Sequence, residues 1–82
     1  MKPQEEIIQR IHNDFMDLRD KPTLNEDDLS ALETGLTGLL GLYRIKKTEY
    51  LYNLIVEMIL FGERHGIDMS ASRFLFHKAS NA

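Results

Sequence analysis

Apolar positions in this chain recur at spacings of three and four, the period of an α-helix. Ile7, Ile8, Ile11, Phe15 and Leu18 follow that rhythm, with Glu6, Arg10, Asn13, Asp14 and Asp17 mostly on the other side. Pro3 suits a first helical turn, and Glu5 and Glu6 oppose the positive end of the helix dipole. Pro22 disfavours helical geometry at Lys21, so a first helix is predicted over residues 3–19. A second begins at Asn25, a good N-cap followed by Glu26, Asp27 and Asp28, with Leu24 and Leu29 placed as a hydrophobic staple. Leu29, Leu32, Leu36, Leu39 and Tyr43 then form a two-heptad seam, and the helix is predicted over 26–45.

The run from Tyr50 to Phe61 is apolar except at Asn53 and Glu57. A helix apolar on so much of its circumference is enclosed by other protein. The run is too short for a bilayer, which needs about 20 apolar residues, so no membrane span is expected. Thr48 caps this third helix, predicted over 49–65. On a helical projection Glu49, Asn53, Glu57 and Arg64 share one narrow stripe. Leu60 lies within that stripe, Val56 lies at its edge, and Tyr50 and Tyr52 flank the opposite, apolar side. His65-Gly66-Ile67-Asp68 reads as a stop with Gly66 in the left-handed conformation. Asp68 or Ser70 can cap a short fourth helix over 69–78, leaving 79–82 as a fraying tail. Tyr50-Leu51-Tyr52 contains β-formers but sits inside a helical period, and no strand is predicted.

The fold class is therefore all-α: a single domain, 1–82, built as a small antiparallel bundle of four helices. The second and third form the central pair, joined by a tight turn near Lys46–Lys47. With 82 residues and 43% hydrophobic content there is enough material for one core and no more. The absence of cysteine removes disulfides and thiolate metal sites and fits a reducing compartment. No secretory signal is legible in MKPQEEIIQ, so a cytoplasmic location is the default expectation. The net charge is −3, unevenly spread: nine acids against four bases up to Glu33, and four acids against six bases beyond it. This is not the dense basic footprint of a nucleic-acid binder.

Gly35, Gly38 and Gly41 are the oddity of the second helix. Each costs roughly 1 kcal/mol against alanine in a helix interior, so something should use them. Their spacing of three traces a slanted groove able to admit a neighbouring helix, either within the monomer or from a partner. With Tyr52, Val56 and Leu60 they make up the candidate partner interface.

Three resemblances bear on function. Residues 61–75 resemble a helix-turn-helix, with Gly62 four residues before Gly66, Leu75 on the inner face, and Ser70, Ser72 and Arg73 where a recognition helix would touch DNA. Ser72, however, stands where an apolar residue normally locks the two helices. Glu49, Asn53 and Glu57 with the later Gly66-Ile67-Asp68 resemble the MazG-type nucleotide pyrophosphohydrolases, all-helical enzymes that hold magnesium with carboxylates from two helices. Here Asn53 replaces an expected Asp and the second helix offers only Glu33, so the resemblance implies a degenerate relative. Tyr50-Leu51-Tyr52-Asn53-Leu54-Ile55-Val56 resembles the third helix of the four-helix immunity proteins that protect against pediocin-like bacteriocins.

His12, His65 and His77 share no metal-ligand spacing, and neither a catalytic set, a cofactor nor a metal site is expected. The favoured reading is a non-enzymatic protein acting through protein–protein interaction, with a regulatory, adaptor or immunity-type role and a homodimer as one form. Nucleic acid is the less favoured partner.

Overall fold

Four local signals in the sequence place the helix ends. The computed structural model describes residues 3–81, with α1 at Pro3–Arg19, α2 at Glu26–Ile45, α3 at Glu49–Arg64 and α4 at Ser70–Ser80. These are the only regular elements among the described residues, an all-α bundle of four helices. No helix is long and apolar enough to cross a membrane. Before Pro22 the chain turns, with the Lys21 N–H donating to the Leu18 carbonyl at 3.2 Å.

At the start of α2, Asn25 and Asp28 cap each other reciprocally. The Asp28 N–H donates to Asn25 Oδ1 at 2.8 Å, and the Asn25 N–H donates to Asp28 Oδ2 at 3.0 Å. Lys21 Nζ completes the arrangement by donating to Asp28 Oδ1 at 2.6 Å. The hydrogen bond from Lys21, then that from the Asn25 backbone, holds the Asp28 carboxyl below its ordinary pKa. Asp28 thus ties the end of α1 to the start of α2, a role beyond that of a first-turn acid.

Thr48 caps α3 by accepting the Leu51 N–H at 3.2 Å. The far end of α3 closes in a Schellman turn. Ile67 N–H reaches the Gly62 carbonyl and Gly66 N–H the Glu63 carbonyl, both at 3.0 Å, with Gly66 at φ 77°. The third helix ends at Arg64, one residue earlier than expected, because His65 already serves as its C-cap.

The seam in α2 is buried through Leu32, Leu36, Leu39 and Tyr43, with Leu40 added, while Leu29 is only half-buried. It meets Leu51, Leu54, Ile55, Met58, Ile59 and Phe61 of α3. α2 packs broadly against all three others, and α3 reaches each of them too, meeting α4 through Tyr52–Phe76 and Glu63–Arg73. α1 runs antiparallel to α2, with Lys21 at Asp28 and Ile11 on Gly35 and Gly38. Phe15 meets Phe61 edge to face, their ring centroids 5.4 Å apart. The molecule is flattened, 34 × 30 × 17 Å, so broad helix faces stay open.

α4 differs most from expectation. It starts at Ser70 and continues to Ser80, and Ala79, expected in a fraying tail, is 1% exposed. Ala79 shares an inward face with Met69, Ser72 and Phe76, and Asn81 Nδ2 donates to the His77 carbonyl at 2.9 Å, holding the last turn. Residue 82 lies outside the described residues. Leu75, expected on the inner face, is 46% exposed. The inward set at i, i+3, i+7 and i+10 leaves it on the flank.

The glycines make a quantitative test. A Cβ on Gly62 would lie 2.7 Å from Met69 Sδ, so the buried Met69 side chain needs that position empty. Gly62→Ala is expected to destabilise the fold by about 1–2 kcal/mol, overpacking outweighing the gain in helix propensity. In a Met69→Ala background the same change should cost nothing. A Cβ on Gly41 meets nothing within 4 Å, so Gly41→Ala should stabilise by about 1 kcal/mol. Urea unfolding of the parent and the four variants checks this; a loss of stability at Gly41 would mean that the open side of α2 is not free.

Candidate functional site

The candidate interface residues do not form one surface. Gly35 is taken up within the molecule: a Cβ there would lie 3.2 Å from Ile11 Cγ2 and 3.7 Å from Met58 Cε. Gly38 faces Ile11 Cδ1 at 3.7 Å, whereas Gly41 is open. The slanted groove therefore receives α1 over its first two glycines. Tyr52, Val56 and Leu60 lie at successive turns on the outer side of α3, respectively 45% exposed, half-buried and 39% exposed. Tyr52 leans on Phe76 of α4, centroids 5.1 Å apart, and on Tyr43. Leu60 edges a shallow depression of about 160 Å³ shared with Phe15, Arg19, Glu57, Phe61 and Arg64. Arg19 and Glu57 stand 3.8 Å apart beside it.

The residues of the helix-turn-helix resemblance are engaged locally. Ser70 donates through both its N–H and its hydroxyl to Asp68 Oδ1, which lowers the Asp68 pKa. Ser72 is half-buried on the inward face of α4. Arg73 makes a two-pronged pair with Glu63 of α3, Nε to Oε2 at 2.6 Å and Nη2 to Oε1 at 2.5 Å. The hydrogen bonds from Arg73 hold the Glu63 carboxyl below its ordinary pKa.

Glu49, Asn53 and Glu57 are exposed along one stripe, as the projection places them. Among the described residues no three His, Asp or Glu side chains come together as a metal-holding group. Each histidine has a nearby partner instead. His12 Nδ1 lies 2.8 Å from the Tyr50 hydroxyl, His65 packs on Phe61 at 4.5 Å between centroids, and His77 meets Asn81.

Two features escape the sequence reading. The first is a second face on α4. Ala71, Phe74, Leu75 and Lys78, at i, i+3, i+4 and i+7, are all exposed, Phe74 at 59%. Lys78 Nζ sits 5.2 Å from the Phe74 ring centroid, and α4 contains no acid. The spacing was visible; what hid it was that Phe74 and Leu75 pass for core residues. The second is a cleft of about 400 Å³ at one end of the bundle. It lies between the start of α1, the end of α2 and the start of α3, segments far apart in sequence, so no local pattern announces it.

The Glu63–Arg73 pair gives a pH test. A lowered folded pKa means the pair stabilises fully above the unfolded Glu value and is lost as pH falls through the folded one. Arg73→Ala should therefore lower the melting temperature at neutral pH, and the gap from the parent should close in acid, as thermal melts followed by circular dichroism would register. A gap that persists unchanged into strong acid would mean Arg73 acts only through packing. Compared with known proteins, the chain matches no family model, no curated protein and no solved structure.

Proposed function

We propose that this protein is a non-enzymatic helical binding module that works through protein–protein contact, with a second copy of itself as the simplest partner. The observation that carries the reading is the outward stripe of α4, where Phe74 and Leu75 stand 59% and 46% exposed at helical spacing. An i, i+3, i+4, i+7 stripe is the form in which helices present anchors to a partner. The outer side of α3 adds Tyr52, Val56 and Leu60. A chain of this size buries a modest core, and association would supplement it. The cysteine-free composition suits a cytoplasmic setting.

The other readings gain less. Glu63 already occupies the Arg73 guanidinium that a DNA contact would need, and the acidic chain has few other phosphate partners. The two carboxylates on the Glu49–Glu57 stripe do not favour magnesium-dependent hydrolysis over a solvated helix face.

Sedimentation equilibrium tests the self-association. The parent chain should show a dimer in the micromolar range, and a Phe74→Asp, Leu75→Asp double variant should be monomeric with unchanged helicity, since both side chains are exposed. Leu60→Asp distinguishes the α3 surface: if it alone dissociates the dimer, the contact lies there. A parent chain that stays monomeric to about millimolar concentration would remove the homodimer.

A further inference from the structure

The cleft at the α1–α2–α3 end has the makings of a ligand site. Ile8, Leu42, Ile45 and Leu51 contribute its aliphatic lining, and Gln4, Glu5, Gln9, Lys46, Thr48 and Tyr50 its polar part. Its volume, about 400 Å³, falls within the range of roughly 300–1,000 Å³ typical of small-molecule sites, which are likewise apolar-walled with a few polar groups. One wall is held in place: the Tyr50 hydroxyl lies 2.8 Å from His12 Nδ1, and the two rings meet edge to face at 5.9 Å. Ile45, the last residue of α2, is 75% exposed, the highest value among the exposed large hydrophobics of the described residues, and lines this cleft.

The charges at this opening are divided between its walls, Glu5 on α1 and Lys46 just past α2. The segment from Arg44 to Glu49 carries three bases, Arg44, Lys46 and Lys47, against the single acid Glu49. Lys46, which lines the cleft, makes no ion pair with another described residue. Glu5 of α1 is the one acid in the lining and leaves the α2 side positive.

We propose that this cleft binds a small amphipathic anion, its aliphatic or aromatic body seated among Ile8, Leu42, Ile45 and Leu51 and its carboxylate-type head directed to Lys46. Sodium octanoate, kept below its micellar range, is the probe, and methyl NMR of the full chain is the readout. Saturable shifts are expected at the methyl groups of those four residues and not at Leu75. Ile45→Glu should weaken binding by about tenfold or more without loss of helicity. Lys46→Glu should weaken octanoate by about tenfold and leave octan-1-ol unaffected. Absence of saturable shifts, equal shifts at Leu75, or equal loss of the acid and the alcohol in Lys46→Glu would each overturn the proposal. So would binding to anionic phosphatidylglycerol vesicles without binding of monomeric octanoate, which would make this end a membrane-facing surface. Dissociation of a dimer by Ile45→Glu would assign the cleft to a second copy instead.

Discussion

The packing of three helices around α2 is the constraint on which the structure depends, and it is a question of room. A 20-residue helix can accept three neighbours only if one of its faces lets a partner come close. Gly35 does this, since a Cβ there would lie 3.2 Å from Ile11, tighter than side chains ordinarily pack. With Ile11 seated on Gly35 and Gly38, α1 reaches the core, where Phe15 meets Phe61. The helix propensity forgone at these glycines, about 1 kcal/mol each, is offset by the aliphatic and aromatic surface that α1 brings in. At Gly41 no such return exists within the molecule.

This arrangement also explains the flattened shape. α4 meets Tyr43 of α2 through Phe76, and α1 seats Ile11 on Gly35 and Gly38. None of the helices is encircled. α3, whose sequence reads as nearly all apolar, still presents Tyr50, Tyr52 and Leu60 to solvent, because its neighbours cover one broad side. An apolar run is therefore a sound sign of a central helix and a poor measure of how much of it is covered.

The limits of legibility follow from the range of the interactions. Helix ends are decided within four or five residues, so Pro22, Asn25, Thr48 and Gly66 mark them in the sequence, and α1 and α2 fall where expected. The orientation of α4 is decided by long-range contacts. Its 11 residues carry apolar groups on two faces, and only the pairing of Met69 with Gly62 and of Phe76 with Tyr43 and Tyr52 selects the inward one. Gly62 was legible as a small residue before the turn, whereas the atom it makes way for was not. The three glycines of α2 look equivalent in the sequence and are not, because α1 crosses only two of them. The cleft, assembled from Gln4 to Leu51, is a product of tertiary structure alone.

α4 is held at three points of different character. Met69 lies over Gly62 at its start, Arg73 grips Glu63 in its middle, and Phe76 joins Tyr43 and Tyr52 towards its end. The first and last are apolar contacts indifferent to pH and salt; the middle one is a surface pair, which salt screens and acid undoes. Rotation of α4 would have to break packing at both ends, so Phe74 and Leu75 are fixed outward rather than turned out by a loosely docked helix. A stripe held in this way loses little conformational freedom when a partner covers it, and that is the cost that most weakens recognition by mobile segments. The same contacts that build the core thus prepare the exposed face of α4 for binding.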